Sequence, residues 1–353
     1  MTKERKSGRI GFTCAYTPLP IIEAAGFSPY RLLPVGDAPD RAGQLIHDNM
    51  CPHVKRVLDR AMNGDLPSLA GMVVVNSCDA MRRMADAWRQ VRPQDPLFML
   101  DLPATQDDAA WRYYASELSR LAEQLALWAG IDTGEMGVPS AVTRFNRMCG
   151  LLRDCRRRLR EGRLAGGGAR MQALYNMAST HSSADTIESL EAVLAEDSAN
   201  DDVADGVPVF LFGNVMPDPE AFTLFETSGA WIVGDDFCTS ERMFSPMDMD
   251  LGAPAYLEMA RSLQRKPPCA RTFSPSAPGR IAVDVVAAAK AAGAAGVIGY
   301  TLKFCDPYLA RLPMVRAALK EAGLPMLMLE GDCTLRSIGQ QRTRIEAFIE
   351  MLR

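Results

Sequence analysis

Four cysteines of this sequence stand just after short apolar runs. Cys78 and Cys305 close the segments GMVVVNSCD and GVIGYTLKFCD, and each is followed by an aspartate. Cys14 and Cys238 end the segments GRIGFTC and GAWIVGDDFC, which repeat this pattern more weakly. Thiolates are soft ligands that hold iron–sulfur clusters, usually three or four to a cubane. The pattern therefore indicates a cluster bound by cysteines that lie far apart in the chain.

The apolar runs before these cysteines predict buried β-strands. Each run is too short for an ordinary helix and is bounded by turn residues, which is typical of a strand covered on both faces. In parallel α/β sheets, ligands bind at the carboxyl ends of the strands. Cys78 and Cys305 follow the third predicted strand of each half, so we expect them to meet in one cleft.

Strands and helices alternate in both halves of the chain, which predicts parallel sheets with right-handed crossovers. The predicted strands are 10–13, 30–35, 72–75 and 97–100, then 209–212, 231–233, 297–300 and 326–329. We expect an α/β fold with two Rossmann-like (flavodoxin-like) four-stranded parallel-sheet domains that face each other. The predicted boundaries are 1–104 for the N-terminal domain, 105–205 for a helical connecting segment and 206–353 for the C-terminal domain.

The connecting segment has helical patterns and little strand character. Thr105 and Asp108 resemble a capping box, a long helix is predicted over 140–163, and Ser183 or Asp185 is expected to cap a later one. The arginine-rich run 155–163 is interpreted as a solvated helix face rather than a phosphate site. The polar segment 198–206 is predicted to be a linker.

Cys51 also stands at a structural boundary. It precedes Pro52 at the start of a helical pattern whose apolar face includes Val54, Val57 and Leu58, and Gly64 ends that pattern. The next helix carries an apolar stripe made up of Met81, Met84, Ala85 and Trp88. The sequence thus predicts that Cys51 lies at a helix N-terminus.

The bulk composition is that of an ordinary globular protein. Hydrophobic residues make up 48% of its 353 residues, charged residues 23%, and the net charge is −4. This balance argues against a nucleic-acid partner. No segment resembles a signal peptide or a membrane span, so we expect a cytoplasmic protein with no membrane association. Disulfides are rare in that compartment, so we expect the nine cysteines to be reduced, buried or bound to metal.

Other interpretations of the cysteines remain open. No CxxC pair occurs, and free cysteine is often a small buried hydrophobic residue. That interpretation is favoured for Cys149 and Cys155, at core spacing on a helix, and for Cys269 and Cys333 in polar segments. Zinc could bind His47, Cys51 and His53, but this spacing fits no common zinc finger.

Two common catalytic motifs are absent from the sequence. There is no GxxxxGK[ST] phosphate loop and no Gly-x-Ser-x-Gly nucleophile turn. We therefore expect that this chain does not itself hydrolyse ATP and does not use a serine nucleophile of the hydrolase type.

Six ordered segments resemble the 2-hydroxyacyl-CoA dehydratase D-component family, which also contains benzoyl-CoA reductase subunits and double-cubane cluster proteins. They are CAYTPLPIIEAAGFSPYRL, MCPHVK, NSCDAMRRMADAW, DDFCTSERMF, KFCDPYLARLP and QRTRIEAFIEML. The resemblance covers both α/β halves and leaves out most of the helical middle. One departure is Leu19-Pro20, where the family often has a glutamate, so no acid role is assigned at this point.

The resemblance implies a subunit that holds a [4Fe–4S] cluster, or a double cubane. Its ligand motifs map onto Cys51, Cys78 and Cys305, with Cys14 and Cys238 as reserves. Further implied partners are a homologous subunit in a hetero- or homodimer, an ATP-dependent activator protein and an acyl-CoA substrate. No catalytic acid or base is assigned.

The implied reaction is elimination of water from an (R)-2-hydroxyacyl-CoA. One electron from the activator would convert the thioester carbonyl to a ketyl radical that expels the hydroxyl group, and the electron would then be recovered. The alternatives are a low-potential reductase subunit of the benzoyl-CoA reductase or double-cubane type, and a non-catalytic scaffold or electron-relay subunit.

Overall fold

Two parallel sheets form the framework of the protein in the computed structural model. The model describes residues 7–36, 40–196, 206–249, 254–333 and 338–353. The first sheet contains β1 (Arg9–Phe12), β2 (Ser28–Arg31), β3 (Gly71–Asn76) and β4 (Leu97–Asp101). The second contains β5 (Val207–Gly213), β6 (Ala230–Asp236), β7 (Gly296–Leu302) and β8 (Met326–Gly331).

The two sheets repeat one topology. The strand orders are β2-β1-β3-β4 and β6-β5-β7-β8, and every pairing is parallel. This is the order of flavodoxin-like sheets, in which the chain reverses direction across the sheet between the first and third strands. The predicted α/β fold with two Rossmann-like domains is confirmed. Cys78 and Cys305 follow β3 and β7, which hold the same place in their sheets.

Helices cover both sheets and fill the middle of the chain. Those with described bounds are α1 (Leu19–Ala24), α2 (Pro52–Asn63), α3 (Asp79–Val91), α4 (Asp108–Ala129), α5 (Val138–Arg160), α6 (Gly167–Thr180), α7 (Ser183–Ala195), α8 (Pro219–Thr227), α9 (Ala255–Arg265), α10 (Arg280–Ala291), α11 (Asp306–Glu321) and α12 (Arg342–Leu352). As predicted, α2 ends at Gly64, whose φ of 78° suits a glycine cap.

The predicted second strand is displaced. An extended run was expected over 30–35, but β2 ends at Arg31. Its pairing with β1 runs from Arg9↔Ser28 to Phe12↔Arg31, and the Leu32 N–H still donates to the Phe12 carbonyl before the chain leaves the sheet. Leu32 and Leu33 are buried as core residues outside any strand. The prediction of burial is therefore confirmed for these two residues, and the predicted strand bounds are wrong.

Two predicted helix caps are also wrong. Asp107 caps α4 by accepting from the Ala110 N–H at 2.8 Å, whereas Thr105 pairs with Phe273 in a short bridge. Ser182, rather than Ser183 or Asp185, caps α7. In each helix the observed cap lies one or two residues from the predicted one and has the extended backbone conformation that a cap requires.

The arginine-rich run is only partly solvated. Arg156 is 2% exposed, and its guanidinium pairs with Asp235 at 2.7 Å and with Glu241. Arg158 donates to carbonyl groups at the end of α7. The interpretation as a solvated face is therefore wrong for Arg156, because that residue joins the helical middle to the second sheet.

The middle helices pack mainly on the first sheet. One large apolar cluster includes residues of β1, β4, α4, α5 and α7, and α9 packs along α4. The predicted linker 198–206 lies almost entirely outside the described residues, and the domain boundaries stay a prediction. Among the helices of the described ranges, none combines the length and apolar character that crossing a membrane requires.

Candidate functional site

A cavity of about 90 Å³ lies where the carboxyl ends of the two sheets meet. We call it the cysteine cavity, because six of the nine cysteines line it. They are Cys14, Cys51, Cys78, Cys238, Cys269 and Cys305. All nine cysteines are free thiols. The expectation that Cys78 and Cys305 share one cleft is met by this arrangement.

Three of these residues, the helix-start cysteines Cys51, Cys78 and Cys305, each occupy the N-cap position of a helix. They precede α2, α3 and α11, and α2 and α11 have a proline in their first turn. The first-turn N–H groups lack helical partners and the helix dipole is positive at this end, so a negative charge is favoured there. Three helix N-termini therefore converge on one cavity with a thiol at each.

The thiols of Cys51 and Cys305 form a hydrogen-bonded pair. The hydrogen bond from Cys51 lowers the pKa of Cys305 to about 7, against the opposing effect of burial, and the Tyr308 backbone N–H acts in the same direction as Cys51. The same bond, followed by burial, raises the pKa of Cys51. Burial raises the pKa of Cys78 to about 11. In the metal-free protein, Cys305 is thus the thiolate of this group.

The other three, the turn cysteines Cys14, Cys238 and Cys269, lie in turns rather than at helix starts. The Thr17 N–H donates to the Cys14 carbonyl at 3.1 Å, just after β1. The Cys238 N–H donates to the Asn214 carbonyl at 2.9 Å, which ties the ends of β5 and β6 together. Burial raises the pKa of Cys238 and brings that of Cys269 to about 12. These thiols lack the support of a helix N-terminus.

The sequence did not single out Cys269, although its backbone N–H donates to the Tyr16 hydroxyl at 3.2 Å and its side chain lines the cysteine cavity. No apolar run precedes it, so no predicted strand end marked it. Cys333, after β8, lines a separate small cavity. Cys149 and Cys155 are buried on α5 in the apolar core, as predicted.

Buried cations surround the turn cysteines. Arg31, Arg242 and Lys266 are 1%, 1% and 5% exposed. Arg242 pairs with Asp236 at 2.7 Å and donates to the Gly213 carbonyl at 2.9 Å. Burial lowers the pKa of Lys266 to about 8, with the Cys14 thiol acting against burial. Sequence patterns gave no sign of these cations, because only the fold brings them together.

The two histidines of the zinc alternative lie in different environments. His47 is exposed, whereas His53 is buried against the cysteine cavity, and burial lowers its pKa to about 3. Throughout the described ranges, no group of three or more His, Cys, Asp or Glu side chains is close enough to hold a single metal ion. The zinc ligand set is therefore not assembled.

The cysteine cavity suits a larger group than a single ion. A zinc ion draws all its ligands to within about 2.3 Å of one point, whereas a cluster of several irons spreads its thiolate ligands apart. The donors are soft thiols, two basic side chains beside them carry no carboxylate partner in the described structure, and the Nε2 of buried His53 is unpaired. This donor set fits an anionic iron–sulfur cluster.

Comparison with known proteins identifies the family of this chain. The family model described as 2-hydroxyglutaryl-CoA dehydratase, D-component, matches residues 14–352. The chain belongs to this family. The match runs from Cys14, at the end of β1, to Leu352 in α12, so both sheets and all six cavity cysteines fall within it.

Several relatives are similar over nearly their whole length. The (R)-phenyllactyl-CoA dehydratase beta subunit of Clostridium sporogenes is 22% identical, with 97% of this chain and 91% of the relative covered. The (R)-2-hydroxyglutaryl-CoA dehydratase subunit beta of Acidaminococcus fermentans is 23% identical, with 100% and 95% covered. A benzoyl-CoA reductase subunit from Thauera aromatica is 22% identical, with 90% and 84% covered. The family therefore includes both dehydratases and a reductase.

Proposed function

We propose that this chain is the iron–sulfur subunit of a 2-hydroxyacyl-CoA dehydratase-type enzyme, a lyase. The observation that carries the proposal is the convergence of three N-cap cysteines, Cys51, Cys78 and Cys305, on one cavity between two opposed sheets. Family membership over residues 14–352 and the names of the dehydratase relatives support the same conclusion. The proposed substrate is an (R)-2-hydroxyacyl-CoA thioester that loses water.

In this proposal the three helix-start cysteines hold one [4Fe–4S] cluster. Such a group supplies single electrons at low potential and an iron position that can accept a hydroxyl group as a Lewis acid. The chain's own residues prepare the site. The first turns of α2, α3 and α11 favour thiolates, and the Cys51 thiol and the Tyr308 N–H stabilise the charge on Cys305.

The proposal includes partners for this chain. Several relatives are named beta subunits, which supports a homologous partner subunit in a hetero- or homodimer. The sequence has no phosphate loop, so the activating electron would come from a separate ATP-hydrolysing activator. Nine free thiols agree with a reducing compartment, and we propose the cytoplasm.

A second candidate function is that of a low-potential reductase. The observation that favours it is the presence of Cys14, Cys238 and Cys269 in the same cavity, since one cubane needs only three or four thiolates. Six thiols would suffice for a double cubane, and one relative is named as part of a benzoyl-CoA reductase. In this case electrons would be passed to an acyl-CoA or another small molecule, and no water would be eliminated.

The experiment that tests the proposal is anaerobic purification with iron and acid-labile sulfide analysis. About four irons per chain are expected for one cubane and about eight for two. The loaded protein is then incubated with its activator, the partner subunit and a 2-hydroxyacyl-CoA, and loss of water is followed by mass spectrometry. If iron is bound but no water is lost, the reductase and the electron relay remain as candidate functions. Absence of iron from the reconstituted chain would refute the proposal.

A further inference from the structure

The cysteine cavity is bordered by more buried positive charge than the protein neutralises. Arg242 lines it, and the almost completely buried Arg31 and Lys266 lie behind its lining, where Arg31 contacts Cys238 and Lys266 contacts Ala15. Only Arg242 has a carboxylate partner, Asp236, at 2.7 Å. Within the described ranges, no carboxylate lies at ion-pair distance from Arg31 or Lys266. Burying an uncompensated charge is strongly unfavourable, so these two cations require a negative partner that the side-chain carboxylates do not supply.

Arg31 points at one of the turn cysteines. Its Nη2 lies 3.6 Å from the Cys238 sulfur, and its Nη1 donates to the Cys238 carbonyl. The Nη1 also lies 3.0 Å from the Met243 sulfur, and the Nε has no hydrogen-bond partner among the described residues. A guanidinium surrounded by two sulfurs and a carbonyl is poorly compensated while Cys238 is a neutral thiol. It becomes well compensated when negative charge develops at that sulfur.

Lys266 occupies the corresponding position near Cys14 and Cys269. Its Nζ donates to the Ala15 carbonyl and lies 4.4 Å from the centre of the Tyr16 ring. Two of its three N–H donors remain for other partners. Ala15 directly follows Cys14 in the chain, and the Cys269 N–H donates to the hydroxyl of the same Tyr16 that Lys266 contacts, so both turn cysteines belong to the surroundings of this ammonium. Arg31 and Lys266 therefore flank the turn cysteines from the ends of β2 and α9.

We propose that Arg31 and Lys266 are positioning residues that act as built-in counter-ions for an anionic thiolate-bound group in the cysteine cavity, and that they raise its reduction potential. Each one-electron reduction adds a negative charge to the cavity. A buried cation nearby stabilises the reduced form more than the oxidised form, because the low dielectric strengthens their attraction. This inference rests on the proposed iron–sulfur function and assigns a role to two residues outside the ligand set.

The test is a potentiometric titration of the anaerobically reconstituted full chain, followed by electron paramagnetic resonance. The Arg31→Gln and Lys266→Gln variants are expected to keep their iron. Their equilibrium constant for reduction is expected to fall at least tenfold, which lowers the reduction potential of a one-electron couple by about 59 mV. The Arg31→Lys and Lys266→Arg variants keep the charge and are expected to stay within threefold of the unmodified chain.

Lys303→Gln is the matched control, because Lys303 is exposed although it lies two residues from Cys305. Solvent screens its charge, and a change below threefold is expected. If the neutral variants of Arg31 and Lys266 lose iron while the charge-conserving variants retain it, the counter-ion role is also supported.

Two results would overturn the inference. One is that the neutral variants keep both their iron and their potential, as Lys303→Gln does. The other is that the charge-conserving variants fail as completely as the neutral ones, which would assign Arg31 and Lys266 a steric role. Either result leaves iron in the unmodified chain and so leaves the proposed function standing. Absence of iron from the unmodified chain would instead reject both.

Discussion

The two groups of cysteines in the cavity gain electrostatic support in different ways. The helix-start cysteines, Cys51, Cys78 and Cys305, lie at the N-termini of α2, α3 and α11. The turn cysteines have no helix behind them and are flanked by buried cations instead. Backbone N–H groups and helix dipoles provide partial charges, whereas guanidinium and ammonium groups provide whole ones.

This difference teaches what each group is suited to do. N–H groups at a helix start are fixed by the helix and carry only partial charges, so they cost less than a whole buried charge when no anion is present. Buried cations are unfavourable until a negative charge is present, and they respond strongly when that charge changes. The helix-start cysteines are therefore suited to hold a cluster. The turn cysteines and the cations beside them are suited either to balance the charge of that cluster or to hold a second cluster.

The largest expected difference between the groups is in iron content. Cys78→Ala removes a proposed ligand at the start of α3 and is expected to abolish cluster binding and activity. Cys238→Ala removes a turn cysteine and is expected to retain about four irons per chain if the helix-start group holds one cubane alone. Iron and sulfide analysis after anaerobic reconstitution measures both.

The control for these variants is Cys155→Ala, because Cys155 is buried on α5 outside the cavity. It is expected to bind as much iron as the unmodified chain. Equal iron in Cys78→Ala and the unmodified chain would contradict the assignment of the helix-start group. Equal and complete loss in the Cys78 and Cys238 variants would show that the two groups hold a single larger cluster.

Much of the fold could be predicted from the sequence, because short apolar runs alternate with helical patterns. The runs leading to Cys78 and Cys305 are β3 and β7, and all seven residues of β7 are buried. The run over 30–35 gave the wrong bounds, since burial alone does not require strand pairing. The caps of α4 and α7 depended on backbone angles that residue type leaves open.

The site was predictable only where local sequence marks it. Three of the cysteines follow strands or precede helices, and the Cys-Pro and Cys-Asp pairs indicate those boundaries in the sequence. They are Cys51, Cys78 and Cys305. Cys269 and Lys266 belong to a segment without such marks. Cys269 lines the cavity and Lys266 lies behind its lining, held by contacts with Tyr16 and Ala15, about 250 residues away in the chain. Contacts of this kind depend on how the two halves pack.

A smaller difference is expected in thiol reactivity of the metal-free protein. The pKa of Cys305 is lowered to about 7, whereas burial raises those of Cys78 and Cys269 to about 11 and about 12. Since the thiolate is the reactive form, Cys305 is present as thiolate above pH 7 and loses reactivity as the pH falls below it. At pH 7.5 iodoacetamide is expected to label Cys305 at least about tenfold faster than the other two.

Mass spectrometry of each cysteine-containing peptide measures these rates. Cys51→Ala provides the control, because it removes the hydrogen bond that chiefly lowers the pKa of Cys305. Labelling of Cys305 at pH 7.5 should then slow. Equal rates at Cys305, Cys78 and Cys269 would show that the Cys51 thiol and the Tyr308 N–H do not lower the pKa of Cys305.

The smallest expected effect distinguishes two influences on the pKa of Cys305, that of the α11 backbone and that of the first side chain of this helix. Asp306 is the exposed first residue of α11, and its charge raises the pKa of Cys305. Asp306→Asn is therefore expected to increase the labelling rate of Cys305 at pH 6 by about twofold, because an exposed charge has only a small effect on its neighbours. Salt at 0.5 M should reduce the difference, since it screens the Asp306 charge. Asp79→Asn changes the same helix position in α3 and should leave Cys305 unaffected. A larger, salt-insensitive change in Asp306→Asn would mean that the side chain, rather than the backbone of α11, controls this thiol.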